Sequence, residues 1–373
     1  MITERLKSID IFRGLCMSWM ILGHLFDWWI QTDYSWPRRI MTIILEPIGA
    51  SGFLFISGIS ISISYKKRIY KAKNSDVYSY RMIRNSYLFR ILFIFLTAII
   101  YNSTIAIRLA EPQMIWTWFV LLTTSISLLI AWPLLKTSIQ FRILWGFFII
   151  IINQYIVSLL IPYDGYSNIY GLLFHFLYND INQDPILFFF PFFLIGTVVG
   201  DTIYTVFYIK NEKKTSSKRF FFVTLITCGA GLIFFGAMFE MPQYLTRSSF
   251  SWIIYSLGFD LSLIAILLVF EEMKIFRTKK SYKFLFYYSY YSLTIYLAHN
   301  ILYLLFLNQL NEFNIWFFIL AAFVLIGLIL RAVYKKWESL ASLKAQIGKL
   351  SLILATKIEM RIRFKQIENL GVN

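Results

Sequence analysis

Residues 8–24 read SIDIFRGLCMSWMILGH and lie at the start of an apolar run that covers 9–31. An apolar segment of about 20 residues is long enough to cross a bilayer as a helix. This run nevertheless contains Asp10, Arg13 and His24. Ionisable residues inside a membrane span are costly and usually have a function. The stretch therefore predicts both a membrane protein and the place where its chemistry occurs.

The composition is that of an integral membrane protein. Of the 373 residues, 58% are hydrophobic and 15% are charged, whereas a soluble protein is about half apolar and a quarter charged. The apolar runs are long and do not alternate, which argues against a β-barrel. We predict an all-α polytopic membrane helix bundle with about ten transmembrane helices. The ten runs are 9–31, 45–65, 86–106, 114–135, 143–161, 185–208, 220–240, 250–270, 284–307 and 315–334.

The basic residues predict the orientation of the bundle. The net charge is +16, and nearly all Lys and Arg residues fall in segments on one side of the ten runs. The positive-inside rule then places both termini in the cytosol of a multi-pass cell-membrane protein. The four exceptions are Arg38, Arg39, Arg108 and Arg247. Because no basic domain stands apart from the membrane, we expect lipids and no nucleic acid as partners.

We divide the chain into a transmembrane domain at 1–334 and a basic amphipathic cytosolic tail at 335–373. The tail has apolar residues at roughly helical spacing, so it could lie along the inner membrane surface. A solvated helix would explain the same pattern.

The charged residues of the first run share one helix face. Asp10 and Arg13 are three residues apart, and Arg13 and His24 are eleven apart, close to three turns. The rise from Arg13 to His24 is about 16 Å. An anion from the cytosol could be held at Arg13 while a reaction occurs near His24. Alternatively, Asp10 and Arg13 lie in the interfacial layer, where arginine extends to the headgroups.

Three motifs resemble those of the transmembrane acyltransferase superfamily, which includes acyltransferase-3 proteins and heparan-α-glucosaminide N-acetyltransferase-like proteins. The first is D-x-x-R-G followed by a spaced histidine, at Asp10, Arg13, Gly14 and His24. The second is GFLFISG at 52–58, which resembles an F-x-F-x-S-G element, and the third is the basic start YRMIRNSYLFRIL at 80–92. SLTIYLAHN at 292–300 resembles the late-helix histidine motif. The residues of the first two motifs resemble the N-acetyltransferase branch slightly more closely.

The resemblance implies transfer of an acyl group across the membrane, from cytosolic acyl-CoA to a hydroxyl or amine of a carbohydrate or glycolipid on the outer side. Acetyl-CoA is the expected co-substrate, and no metal is expected. Histidine titrates near neutral pH, so His24 is the candidate general base. The predicted catalytic set is His24, Asp10 and His299. The predicted acyl-CoA-binding set is Arg13, Arg81, Arg84, Arg90, Ser57 and Gly58.

Other polar residues have less specific patterns. His299 could instead make a hydrogen bond to a neighbouring helix, and Glu46 could cap a helix end or orient His24. Asp201 and Asp260 are expected to face the bundle and to pair with structural partners. An acyl intermediate on Cys16 is conceivable, although a small apolar side chain explains this position equally well.

A loop at 162–184 carries His175, Asp180 and Asp184 and could bind an acceptor or a metal, or simply be solvated. Two other functions remain open from the sequence: a transporter or flippase for a sugar- or lipid-linked substrate, and a non-catalytic scaffold. The acceptor, the acyl length, O- versus N-acylation and a possible homo-oligomer stay undecided.

Overall fold

A computed structural model describes residues 6–31, 36–74, 78–209, 214–275 and 283–369. Over these residues the chain is almost entirely helical. In chain order the α-helices are α1 (Lys7–Trp29), α2 (Trp36–Ile40), α3 (Ala50–Lys73), α4 (Tyr80–Leu109), α5 (Val120–Leu134), α6 (Ile139–Leu160), α7 (Ile169–Leu177), α8 (Ile186–Ile203), α9 (Lys214–Phe239), α10 (Phe250–Glu272), α11 (Lys283–Tyr290), α12 (Ser292–Ala298), α13 (Asn314–Trp337) and α14 (Leu343–Asn369).

Eight helical segments in the described part of the chain are long and apolar enough to cross a membrane. They comprise α1, α3 with its preceding turns, α4, α6 with its following turn, α8 with its last turn, α9 from Ser217, α10 and α13. The prediction of an all-α polytopic membrane bundle is therefore confirmed.

The two remaining apolar runs have a less regular structure. Run 114–135 contains α5, which has only 15 residues and follows a 3₁₀ turn at Pro112–Trp116. Run 284–307 is divided into α11, α12 and a 3₁₀ segment at His299–Leu304. Tyr291 interrupts it with φ −96° and ψ 18°. Apolar content alone does not predict such an interruption, because the same residues fit a helix or a turn.

Two glycines of the sequence motifs lie where helices approach closely. A Cβ atom at Gly14 would lie 2.2 Å from the backbone oxygen of Leu285 in α11, and one at Gly58 would lie 2.1 Å from the backbone oxygen of Phe193 in α8. Neither site has room for a methyl group, so both glycines are required by packing. Gly58, expected in the acyl-CoA site, thus contacts α8 in the helix core.

A buried ion pair joins α6 to α8. The guanidinium of Arg142 donates to the Asp201 carboxylate and, at 2.9 Å, to the Thr197 hydroxyl, while Ser62 of α3 donates to the other Asp201 oxygen. Arg142 is 1% exposed and Asp201 is 6% exposed. The expectation that Asp201 pairs with a structural partner is confirmed.

The same expectation is wrong for Asp260. Its side chain is fully buried in α10, and neither carboxyl oxygen has a hydrogen-bond partner in the described part of the chain. Cys16 and Gly52 lie beside it: a Cβ atom on Gly52 would be 2.9 Å from Asp260 Oδ1 and 3.0 Å from Cys16 Sγ. These small residues leave space for the carboxyl group but provide no strong donor.

The tail helix α14 packs along α4, with Ser351 and Ala355 buried. Because these side chains are small, the helix can approach the bundle closely, which neither the membrane-surface nor the solvated interpretation anticipates. The division of the chain at residue 334 stays a prediction, and α13 continues to Trp337.

Candidate active site

One face of α1 lines three cavities that follow one another along the helix. The lining residues recur three or four positions apart, which keeps them on a single face. From the N-terminal end this face comprises Asp10, Arg13, Met17, Met20, His24 and Asp27, and the adjacent Ile9, Trp19 and Gly23 also contribute to the lining. The α3 helix runs beside α1 in the opposite direction, with Lys67 at the first cavity and Ala50 at the third.

The first cavity, here named the basic cavity, has a volume of about 380 Å³. Its charged lining residues are Asp10, Arg13, Lys67, Arg68 and Lys71. Arg13 donates a hydrogen bond to the Ser60 hydroxyl of α3. The Lys67 ammonium lies 3.8 Å from the centre of the Tyr208 ring. Four cations against one carboxylate make the cavity suitable for a multiply charged anion.

The second, central cavity has a volume of about 530 Å³ and shares Arg13, Ser60 and Ser64 with the basic cavity. Its charged lining residues are Arg13, Arg90 and Lys344, and no acidic residue is present among the described residues that line it. Ser57 of the predicted set also lines this cavity.

The third cavity, here named the histidine cavity, has a volume of about 670 Å³ and shares Val120 and Tyr296 with the central cavity. Its lining includes His24 and four charged residues: Asp27, Glu46, Asp184 and Arg247. Trp252 also lines it, is 1% exposed, and has an indole nitrogen without a hydrogen-bond partner in the described part of the chain. Because three carboxylates line this cavity with one arginine, the sign of its lining charge is opposite to that of the other two cavities.

Two histidines and a tryptophan stack at this end of α1. The His24 and His299 ring centres are 5.3 Å apart, and the Trp28 ring stacks on both, at 5.5 Å and 5.7 Å. His24 is exposed, whereas His299 is buried. Nδ1 of His299 lies 2.5 Å from the Tyr296 carbonyl oxygen. A carbonyl only accepts, so this contact assigns the hydrogen to Nδ1 and leaves Nε2 of the neutral ring as an acceptor.

Hydrogen bonds connect the region around His299 to α1 and to α4. The amide of Asn308 donates to the Trp28 carbonyl at 2.9 Å, and Leu310 donates to the Trp29 carbonyl at 2.8 Å. The Asn300 side chain donates to the Tyr101 hydroxyl at 2.7 Å. The 3₁₀ segment that carries His299 is therefore held against the end of α1 and against α4.

Arg247 connects two carboxylates of the histidine cavity. Its guanidinium lies 2.5 Å from Asp184 and 3.6 Å from Glu46. Burial raises the pKa of the Asp184 carboxyl above its ordinary value, and the Arg247 charge opposes that shift. The amide of Asp184 donates to the Trp118 carbonyl at 2.8 Å, which fixes the loop at the cavity wall.

Several predicted residues lie apart from these cavities. Arg81 and Arg84 are exposed on α4 and line none of the three. His175 lines a separate surface cavity of about 820 Å³ together with Asp164, whereas Asp184 lines the histidine cavity. The residues His175, Asp180 and Asp184 therefore do not form one site. Asp10 lies with Arg13 at the opposite end of α1 from His24 and His299.

Sequence reasoning missed other lining residues. Asp27 follows His24 by three positions on the same helix face, and Arg247 was one of four basic residues outside the cytosolic segments, so both had a usable signal. In the sequence, Lys67 and its neighbours indicate only the orientation of the bundle. For Lys344 the sequence offers no local pattern that distinguishes it from the other lysines of the tail.

The sequence model of the acyltransferase-3 family, described as an acyltransferase domain, matches residues 6–333. No curated protein matches the chain. The matched region includes all of α1, with its arginine and histidine, and the late segment that carries His299. Because the match covers most of the 373 residues, the chain belongs to the acyltransferase-3 family of membrane acyltransferases.

Proposed function

We propose that this protein transfers an acyl group, most simply acetyl, from cytosolic acyl-CoA to a hydroxyl or amine of a sugar-like acceptor on the outer side of the membrane. The observation that carries the proposal is the reversal of charge along α1. Cations line the basic and central cavities, whereas carboxylates outnumber the single arginine in the histidine cavity.

The cationic end suits the donor. Acyl-CoA carries two phosphates in its pyrophosphate and a third on the ribose, and Lys and Arg side chains bind phosphate oxygens with charge-assisted hydrogen bonds. The basic cavity lies at the end of α1 that the positive-inside rule assigns to the cytosol. The thin pantetheine arm would then extend from the cationic part of the central cavity into the histidine cavity, over the rise of about 16 Å that separates Arg13 from His24.

The histidine end suits the chemical step. The acceptor oxygen or nitrogen attacks the thioester carbonyl carbon, and His24 takes the proton that this nucleophile loses. The carbon–sulfur bond then breaks, and the CoA sulfur leaves with the electron pair and receives a proton from His24. His299 stacks on His24 and orients it, while Asp10 acts at the donor end through its neighbour Arg13.

The acidic lining suits a neutral or amine-bearing acceptor. Carboxylates accept hydrogen bonds from sugar hydroxyls and attract ammonium groups, whereas they repel uronates and phosphorylated sugars. The Trp252 indole N–H provides one donor for a sugar oxygen, and aromatic rings stack on sugar faces. These features favour a carbohydrate or a glycolipid headgroup over an anionic polymer.

A labelled transfer assay tests this proposal. Membranes containing the protein are given [acetyl-¹⁴C]acetyl-CoA with neutral, glucosamine-containing or uronate oligosaccharides, beside membranes without the protein. We expect label on the neutral or amine-bearing sugars. Passage of unmodified sugar into vesicles without any acetyl transfer would instead support a transporter.

A further inference from the structure

Side-chain hydrogen bonds join the segment that follows α13 to the interrupted run 284–307. Tyr291 donates to the Glu338 carbonyl at 2.7 Å, and Thr294 donates to the Ala341 carbonyl at 3.0 Å. Ser342 donates to the Tyr290 carbonyl at 2.9 Å. The family match ends at residue 333, so these contacts attach a segment outside the matched region to α11 and α12, and α12 carries Tyr296 and directly precedes His299.

These contacts bring the first turn of α14 to the central cavity. Lys344 lines that cavity with Arg13 and Arg90, and its ammonium donates to the Ser289 carbonyl of α11 at 2.6 Å. The remainder of α14 packs along α4, the helix that carries Arg90. Three cations from three different helices therefore surround one cavity that has no acidic residue among its described lining.

We infer that Lys344 is a binding residue for the pyrophosphate of acyl-CoA, and that the C-terminal helix α14 completes the donor site. This inference rests on the proposed function. Arg13, Arg90 and Lys344 hold the two phosphates of the single pyrophosphate in the central cavity. The cations of α3, Lys67, Arg68 and Lys71, bind the ribose phosphate nearer the surface.

The division of phosphates between the two cavities makes the inference testable with two ligands. Acetyl-CoA and acetyl-dephospho-CoA share the pyrophosphate and differ only in the ribose phosphate. We expect Lys344→Met to weaken binding of both ligands by about tenfold or more, because one charge-assisted hydrogen bond is lost in each case. Lys67→Met is expected to weaken acetyl-CoA binding and to leave acetyl-dephospho-CoA binding nearly unchanged.

The experiment is a calorimetric titration of the purified, detergent-solubilised full chain. Lys357→Met, an exposed position on the same helix, is the matched control and should bind like the wild type. Lys344→Arg keeps the positive charge and should retain most of the affinity. Thermal unfolding of each variant identifies any loss that comes from misfolding.

Two results would overturn the assignment of Lys344 without affecting the proposed function: wild-type affinity in Lys344→Met, or equal losses in Lys344→Met and Lys357→Met. An Arg variant as weak as the folded Met variant would overturn it as well. If the folded wild-type protein binds neither ligand, the proposed function fails instead.

Discussion

His24 and His299 come from opposite ends of the chain, and their rings stack with centres 5.3 Å apart. The Trp28 ring covers both, and the Tyr296 carbonyl accepts from His299. The two motif histidines thus form one structural unit at the end of the polar face of α1. The exposed ring of the pair is His24, and it lines the histidine cavity.

His24→Ala tests the catalytic assignment. We expect the rate of acyl transfer to fall by about 10²–10⁴-fold, because a general base is lost, while acetyl-CoA binding is retained. His175→Ala is the matched control, since that histidine lines a different cavity. Initial rates with labelled acetyl-CoA measure the effect. Full activity of a folded His24→Ala variant would exclude His24 as the base.

Two arginines of α4 can be compared to distinguish binding within the central cavity from a general effect of positive surface charge. Arg90 lines the central cavity, whereas Arg84 is exposed on the same helix. Arg90→Met should weaken acetyl-CoA binding about tenfold or more, and Arg84→Met should leave it within about twofold. Titration of both variants measures this difference. Equal losses would mean that general positive charge, and not the cavity, binds the donor.

Gly58→Ala should destabilise the fold. The added methyl group would meet the backbone of α8 at 2.1 Å, and overpacking of this kind costs about 1–3 kcal/mol. Gly231→Ala in α9 is the control, because nothing lies within 4 Å of its Cβ position. Heating followed by size-exclusion chromatography in detergent measures the change. A Gly58→Ala variant as stable as Gly231→Ala would contradict the close α3–α8 crossing.

Arg142→Met should also destabilise the protein, by about 1–3 kcal/mol, because the buried Asp201 carboxylate loses its Arg142 hydrogen bond and keeps, among the described residues, only the partly exposed Lys66 ammonium, 3.5 Å away, as a cation partner. Changing both residues, as in Arg142→Met with Asp201→Asn, should recover most of the stability, because the buried charge is removed and the remaining Lys66 side chain is partly exposed to solvent. The same heating assay compares the single and double variants. A double variant less stable than the single one would show that the pair is not the main cause.

The polar face of α1 could be predicted because helix geometry relates Asp10, Arg13 and His24 over a single segment. The fold class followed from long apolar runs. The remaining lining residues depend on contacts between distant segments. Lys344 reaches the central cavity only because the chain after α13 returns to α11 and α12, and Arg84 and Arg90 differ only in the face of α4 that meets the bundle.

For Asp260, the prediction from the sequence fails. A single acid in an apolar run predicts a paired, bundle-facing side chain, but pairing requires a donor on a neighbouring helix, and the neighbours here are Cys16 and Gly52. The composition does not predict the interruption of run 284–307 either, although this interruption determines the position of His299.

If acyl-CoA enters at the basic end of α1, its binding should depend on Arg13. Titration of acetyl-CoA into the purified, solubilised wild-type protein and into Arg13→Ala measures this dependence. We expect saturable binding by the wild type and a loss of about tenfold or more in the variant, because Arg13 lines both the basic and the central cavity. If the folded wild-type protein binds neither acetyl-CoA nor longer acyl-CoAs, the basic end of α1 is not an acyl-CoA entrance.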